Sequence, residues 1–348
     1  MAQIKQIVFN SYQDCFAVAT DLGIKVFNCK PLIELLNLKV ELVGSVKCVA
    51  ILGRSNVIAM VSGEPRPKFS GKTVMIYDAL KEKFVAELTV GSPVLNLAIS
   101  STKLVVVQSQ HIHVFNLENG FSIVRHEETG QNPFGLAALS PSPKNEYLVY
   151  PSLKPGSIQV VNLQFASQKR SSAPSTIFAH ESAISKIAID NQATKIATGS
   201  VKGTVIRIFD TQSKAKIFEL RRGAHAVQLF CFRFSPSSSY LACCSDKGTI
   251  HVFPLSRQVD DKIKNTKKII DHVMMKDERR SAFQFTMPHP EQIAECAFLS
   301  ECTSPSKVDL MAVTQDGMYY QFQESSPKPQ GFDMIFNLAT DQDFWDVQ

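Results

Sequence analysis

The 348-residue sequence is poor in several features that mark whole classes of protein. It has no run of 18 uninterrupted apolar residues and no apolar block at its start, so we expect neither a membrane-spanning helix nor a secretory signal. Its 16 glycines and 17 prolines are too few for a collagen-like or low-complexity chain. The composition therefore predicts a folded cytoplasmic protein.

Signatures of catalysis and of metal binding are also missing. The sequence contains no G-x-S-x-G, H-E-x-x-H, Walker A or G-x-G-x-x-G motif. Its eight cysteines form no C-x-x-C pair, so we expect reduced thiols buried in strands. His111 and His113 share a strand face, but no third ligand lies nearby in the sequence. We predict a protein that is not an enzyme and that has no metal or cofactor.

Charge gives little direct indication of a partner. There are 37 Lys and Arg against 32 Asp and Glu, and the formal net charge of +5 is too small to predict nucleic-acid binding. The position of the basic residues is therefore more informative than their number.

Short β-type runs bounded by Gly, Pro, Asn, Asp and Ser recur along the whole chain, and they fall into seven similar sets. Successive sets begin about 41 to 49 residues apart, apart from one interval of about 64, close to the repeat of a WD40-type blade. The third strand of each set has the same pattern: Gly23–Asn28, Thr73–Asp78, His111–Asn116, Ser157–Asn162, Thr204–Asp210, Thr249–Phe253 and Gly317–Phe322. This pattern predicts an all-β protein, a single seven-bladed WD40-type β-propeller. We assign residues 1–324 to the propeller and 325–348 to a C-terminal tail that can complete the last blade.

The long interval contains an insertion in blade six, residues 257–281, which is the one place with a helical period. Apolar residues share one side of that helix and lysines occupy the rest, which is typical of a membrane-surface or partner-binding helix. An ordinary helix lying on the propeller explains the same pattern. For a membrane element, the inserting side chains are Ile263, Ile269, Ile270, Val273 and Met274.

Two segments, 200–207 and 245–251, resemble each other more closely in sequence than the packing of blades requires. Each has a hydroxyl, a lysine, a glycine turn, a second hydroxyl and then Arg207 or His251. Hydroxyls, turn amides and a cation are the groups that bind phosphate oxygens. The alternative is that S-x-x-G-T is only the turn between the second and third strands of a blade.

The basic motif Glu219–Gly223, E-L-R-R-G, lies between these two segments in the sequence. Its two arginines strengthen the prediction of anion binding. Because neighbouring side chains on a strand point to opposite faces, Arg221 and Arg222 cannot serve one ligand, but they can serve two. We expect two pockets side by side on the rim between blades five and six. Their residues are Arg221 with His180, Ser200, Thr204 and Arg207, and Arg222 with Ser245, Thr249 and His251. A charged edge strand that opposes aggregation is the alternative.

These motifs together resemble the PROPPIN family, the WIPI-type proteins of autophagy, over nearly the whole chain. The resemblance implies a propeller that binds phosphatidylinositol 3-phosphate and 3,5-bisphosphate and inserts its blade-six loop into membrane. It also implies recruitment from the cytoplasm to phagophore, preautophagosomal and endolysosomal membranes. Pro65–Lys68 is most similar to the branch that engages the large autophagic lipid-transfer protein. A WD-type scaffold that binds only proteins is the competing interpretation.

The tail offers one further motif. Phe344 and Val347 have the aromatic-x-x-aliphatic spacing of peptides that add a strand to ubiquitin-like autophagy modifiers. The alternative is that the tail packs on the last blade and fastens the ring.

Overall fold

Seven β-sheets follow one another along the chain. Each has four antiparallel strands, and one sheet has a fifth strand. The computed structural model describes residues 2–118, 120–164, 173–255, 278–290, 292–299 and 308–338. Within these ranges the architecture is the predicted all-β seven-bladed propeller.

The strands are numbered in chain order, four to each of the first four blades. Blade one is β1 to β4: Ile4–Phe9, Cys15–Thr20, Gly23–Asn28 and Ile33–Lys39. Blade two is β5 to β8: Gly44–Ile51, Val57–Pro67, Thr73–Asp78 and Lys83–Thr89. Blade three is β9 to β12: Asn96–Ile99, Lys103–Val107, His111–Asn116 and Ser122–Glu128. Blade four is β13 to β16: Ala138–Leu139, Tyr147–Pro151, Ser157–Asn162 and Ser175–Phe178.

Among the last three blades, five and six are less regular in strand order. Blade five is β17 to β20, Ile184–Ile189, Lys195–Ser200, Val205–Asp210 and Lys216–Arg221, with β24, Glu278–Arg280, added at its outer edge. Blade six is β21 to β23 and β25: Leu229–Phe234, Tyr240–Ser245, Thr249–Pro254 and Phe283–Thr286. Blade seven is β26 to β29: Ala294–Phe298, Asp309–Thr314, Met318–Gln323 and Gly331–Met334. A four-residue helix, Val40–Val43, and a 3-10 turn, Ile335–Asn337, complete the described elements.

The core lies between neighbouring blades. The middle strands are buried on both faces, as in β7, where all six residues are buried, whereas exposed residues alternate along the outer strand β8. A strand buried on both faces is mainly apolar, as in the centre of β7, and an edge strand needs only one apolar face. Four of the seven predicted third strands match the observed bounds completely, and the other three differ by one residue at one or both ends.

The chain returns from the blade-six insertion by an unexpected route. Residues 256–277 lie outside the described residues, and the first element after them, β24, pairs in parallel with β20 of blade five. The chain then crosses to form β25, the outer strand of blade six. The insertion therefore ends as a strap that links the outer edges of blades five and six.

The ring closes by side-chain packing between blades one and seven. No strand is exchanged among the described residues, because blade one takes all its strands from the start of the chain and blade seven takes all of its from the end. Instead, the Tyr319 hydroxyl donates to the Cys29 carbonyl at 2.8 Å, and the Gln315 amide donates to the Ile4 carbonyl at 3.2 Å. No described helix is long and apolar enough to cross a membrane.

Candidate functional site

The two arginines of the L-R-R-G motif lie at the end of β20 and point to opposite sides of blade five. Leu220 packs with blade-six residues, so its neighbour Arg221 faces away from blade six and is exposed. Arg222 follows on the Leu220 side and is only 9% exposed. The alternation expected of a strand therefore sends the two guanidinium groups into different clefts.

The cleft between blades four and five holds the first polar group. Arg207 on β19 donates from Nε to Glu219 at 2.9 Å and from Nη1 to the Ala179 carbonyl of blade four at 2.7 Å. His180 Nε2 lies 3.0 Å from the Thr198 hydroxyl. Arg207, Thr198 and Glu219 are cross-strand neighbours, and Ser200 and Arg221 lie two residues further along the same faces. The sequence placed this chemistry between blades five and six, whereas the structure puts it on the other side of blade five.

The imidazole in this cleft is neutral. Burial, helped by the charge of Arg207, lowers the pKa of His180 to about 4. At neutral pH His180 therefore offers a hydrogen-bonding group rather than a positive charge.

The cleft between blades five and six holds the second polar group, which is centred on Arg222. Its Nε donates to the Gly203 carbonyl at 2.9 Å and its Nη2 to the His225 carbonyl at 2.6 Å. An arginine has five N–H donors, so these two bonds leave three for other acceptors. Arg222 thus both ties two turns together and keeps its charge at the rim.

Blade six contributes His251, Ser245 and Thr249 to the same cleft. Burial, with the charge of Arg222, lowers the pKa of His251 to about 4, and its Nδ1 lies 3.2 Å from the Ser281 hydroxyl. The Ser245 hydroxyl is buried and has no hydrogen-bond partner. Because buried polar groups are normally paired, this hydroxyl is a candidate ligand contact.

The two repeated turns need their glycines. Gly203 and Gly248 have φ of +64° and +65°, and their amides donate to Ser200 and Ser245 carbonyls at 2.9 and 3.1 Å. A Cβ at Gly203 would lie 2.3 Å from the Val227 carbonyl oxygen. The same turn occurs at Gly317 in blade seven, where Thr314 replaces the serine, so the turn itself is structural. Only the second hydroxyl, Thr204 or Thr249, distinguishes blades five and six, because Met318 follows the glycine in blade seven.

The returning strand β24 brings further basic residues to this rim. Arg280 lies opposite Arg221 in the parallel pair, and the Arg279 guanidinium lies 4.2 Å from the centre of the Phe218 ring. Sequence reasoning missed Arg280, since it is 59 positions from Arg221 and no local pattern predicts a parallel pairing across an insertion.

The structure thus distributes the predicted site residues over two clefts on either side of blade five. It brings His180, Ser200, Arg207 and Arg221 to one side, and Arg222, Ser245, Thr249 and His251 to the other. Thr204 was expected with Arg221, but it lies two residues before Ile206, which packs against blade six, and its carbonyl accepts from the Arg222 amide, so it falls on the Arg222 side. Thr198, Glu219 and Ser281 were not predicted, and they contact His180, Arg207 and His251. The predicted membrane residues Ile263, Ile269, Ile270, Val273 and Met274, and Phe344 and Val347 of the tail, lie outside the described residues.

The histidine pair of blade three is not isolated, contrary to the expectation from the sequence. His126 on β12 lies opposite His113, and its Nε2 is 3.2 Å from His111 Nδ1. The cluster is a cross-strand arrangement that the spacing along one strand does not reveal.

This geometry defines a β-propeller with two basic, hydroxyl-lined clefts flanking one blade. A family model described as PROPPIN matches residues 5–276. Ectopic P granules protein 6 of Caenorhabditis elegans is 37% identical over 256 residues, 72% of this chain and 66% of that protein, so the match spans about two thirds of this relative. SVP1-like protein 2 of Pichia angusta is 33% identical over 310 residues, 87% of this chain and 86% of that protein.

Solved structures show the same fold. Kluyveromyces lactis Hsv2 has a TM-score of 0.77 at 23% identity and covers 93% of each chain. KlAtg21, in a complex with the coiled coil of AgAtg16, has a TM-score of 0.75 at 20% identity and covers 95% of this chain and 99% of that chain. The chain belongs to the PROPPIN family, a family of non-enzymatic, lipid-binding β-propeller scaffolds of autophagy.

Proposed function

We propose that this chain binds phosphatidylinositol 3-phosphate and 3,5-bisphosphate through the two clefts that flank blade five. It acts as a peripheral membrane effector and scaffold in autophagosome formation, recruited from the cytoplasm to phagophore, preautophagosomal and endolysosomal membranes. The observation that carries the proposal is the opposite orientation of Arg221 and Arg222, each towards its own cluster of hydroxyl and imidazole groups.

The chemistry of each cleft suits a phosphate group. Arginine N–H donors supply charge-assisted hydrogen bonds, and hydroxyls and a neutral imidazole supply further donors without the desolvation penalty of a second buried charge. Glu219 is shared by Arg207 and Lys216, so the first cleft keeps a net positive charge, to which the exposed Arg221 and its neighbour Arg280 add. Two modest sites on one molecule combine on a single membrane through effective concentration.

The blade-six insertion is proposed as the third membrane contact. Its described ends lie close together, because Arg279 of β24 donates to the Pro254 carbonyl at 3.2 Å, and β24 pairs with β20 beside Arg221. Apolar side chains on an amphipathic helix at this place can enter the bilayer interface while lysines contact acidic lipid headgroups.

A protein partner is proposed at the exposed end of β6. This strand is 11 residues long, and its last residues, including Arg66 and Pro67, are exposed beyond its pairing with β7. We assign this surface to the autophagic lipid-transfer protein, and the tail residues Phe344 and Val347 to a ubiquitin-like modifier. The coiled coil bound by KlAtg21 supports a partner-binding role for propellers of this shape.

Flotation of the full chain with liposomes that carry each phosphoinositide in turn tests lipid binding. We expect flotation with the 3-phosphate and 3,5-bisphosphate lipids, and its loss when Arg221 and Arg222 are both changed to Thr. The matched control changes the exposed Lys72 and Lys83 of blade two to Thr, which removes the same charge far from the clefts. Equal flotation with phosphatidylserine alone, or no effect of the double change, would favour the protein-only scaffold.

A further inference from the structure

Three cysteines that are far apart in the sequence meet in the core between blades six and seven. Cys231 on β21 lies opposite Cys244 on β22, and Cys296 comes from β26, the inner strand of blade seven. The three sulfur atoms all lie within 4.8 Å of one another, and Cys231 Sγ is 3.3 Å from Cys296 Sγ. The residues are 3%, 3% and 0% exposed.

The sulfur separations suit a shared metal ion. A disulfide would require about 2.05 Å between two of these atoms. Thiolates on one tetrahedral Zn²⁺ with bonds of about 2.3 Å are separated by about 3.8 Å, and the three sulfur atoms here all lie within 4.8 Å of one another. Among the described residues, no other group of three cysteine, histidine or acidic side chains brings its ligand atoms within 4.8 Å of one another.

A cation lies beside such a site. Arg233, two residues after Cys231 on β21, donates from Nε to the Cys296 carbonyl at 3.2 Å and from Nη2 to Glu295 at 3.4 Å, so it shares its charge between the site and this carboxylate. Three thiolates with Zn²⁺ carry one net negative charge, and a buried negative charge needs a nearby cation. The cysteines pack among apolar side chains, including Phe230 and Tyr240, and Cys231 also lines a cavity together with Arg233 and Glu295.

We propose that Cys231, Cys244 and Cys296 form a structural site for one thiophilic metal ion, Zn²⁺ or Cu⁺, that joins blade six to blade seven. Both ions accept thiolate ligands, and binding releases up to three thiol protons as three metal–sulfur bonds form. The site fastens two blades that are otherwise held by packing, main-chain contacts and the hydrogen bonds of Arg233 to blade seven. It is independent of lipid binding, because it lies in the core and not at the rim clefts.

The first test needs no variant. The full chain is unfolded, stripped with a chelator and refolded under reductant with Zn²⁺, with Cu⁺ or with neither, and bound metal is measured by mass spectrometry. We expect one ion per chain after refolding with the metal that the site naturally binds. The Tm of that sample should be higher than the Tm of the chain refolded without metal. Refolding with Co²⁺ should give sulfur-to-cobalt charge-transfer absorption, which reports thiolate ligands directly.

The second test uses single changes and a matched control. Cys244→Ala and Cys296→Ala should each weaken metal binding by at least about 10-fold, since even loss of an outer-shell partner costs that much. Cys243→Ala is the control, because Cys243 is equally buried on the same strand but packs towards blade five. This variant should bind metal like the unchanged chain.

Three outcomes would overturn the proposal. These are no bound metal above the blank in either metal arm, equal metal binding by the Cys243 and Cys296 variants, and an intact mass two hydrogens lower with a Cys231–Cys296 crosslink. The last outcome would make the pair a disulfide instead of a metal site.

Discussion

Arg221 and Arg222 should differ in what their loss does to the protein, although both belong to one basic motif. Arg222 donates two hydrogen bonds to the Gly203 and His225 carbonyls and is 9% exposed. Hydrogen bonds from a charged donor contribute about 1.5–3 kcal/mol each, so Arg222→Thr should cost about 3 kcal/mol or more. Arg221 is exposed, and Arg221→Thr should leave stability within about 0.5 kcal/mol.

The expected change in Tm follows from the size of the chain. An unfolding entropy of about 2.1 cal/mol/K per residue over 348 residues means that 3 kcal/mol lowers Tm by about 4 °C. Tm and liposome flotation are measured for Arg221→Thr, Arg222→Thr, the double variant and Arg222→Lys. The lysine variant keeps the charge but lacks the planar fork that spans both carbonyls, so it should lose stability while retaining part of the binding.

The two arginines therefore differ in their expected effect on stability, although the motif alone does not distinguish them. Equal Tm values for Arg221→Thr and Arg222→Thr, together with equal loss of flotation, would refute the structural role of Arg222. A lower Tm without any loss of flotation would instead show that Arg222 does not bind lipid.

Three further results are expected. The pKa of His251 falls from 6.5 to about 4 on folding, so about 3 kcal/mol of stability present above pH 6.5 should be lost as the pH drops from 6.5 through 4. His251→Gln should flatten the pH dependence of unfolding in urea, and an unchanged profile would contradict the pKa. Changing Ile270 and Met274 to Asp should reduce liposome binding without lowering Tm, whereas a lower Tm would indicate a helix docked on the propeller. A peptide of residues 339–348 should bind a ubiquitin-like modifier in a titration and lose binding with Phe344→Ala; no binding at high micromolar concentration would leave the tail a structural element.

Much of the propeller could be predicted because its signals are local. The run Thr73–Asp78 is apolar with a polar end, and turn residues flank it, so its strand bounds follow from a few neighbouring residues. Seven repeats of that pattern imply a ring, since a single blade cannot bury its faces. Alternation along β20 likewise indicated that Arg221 and Arg222 point apart.

Tertiary structure decided which blades the two arginines face, and it paired β24 with β20 across the insertion. It also brought His126 to His111, and Cys231, Cys244 and Cys296 to one another. Each of these contacts joins residues on different strands, and some join different blades. Strand periodicity shows which side of a strand a residue occupies, but only the packing of the closed ring determines what that side contacts.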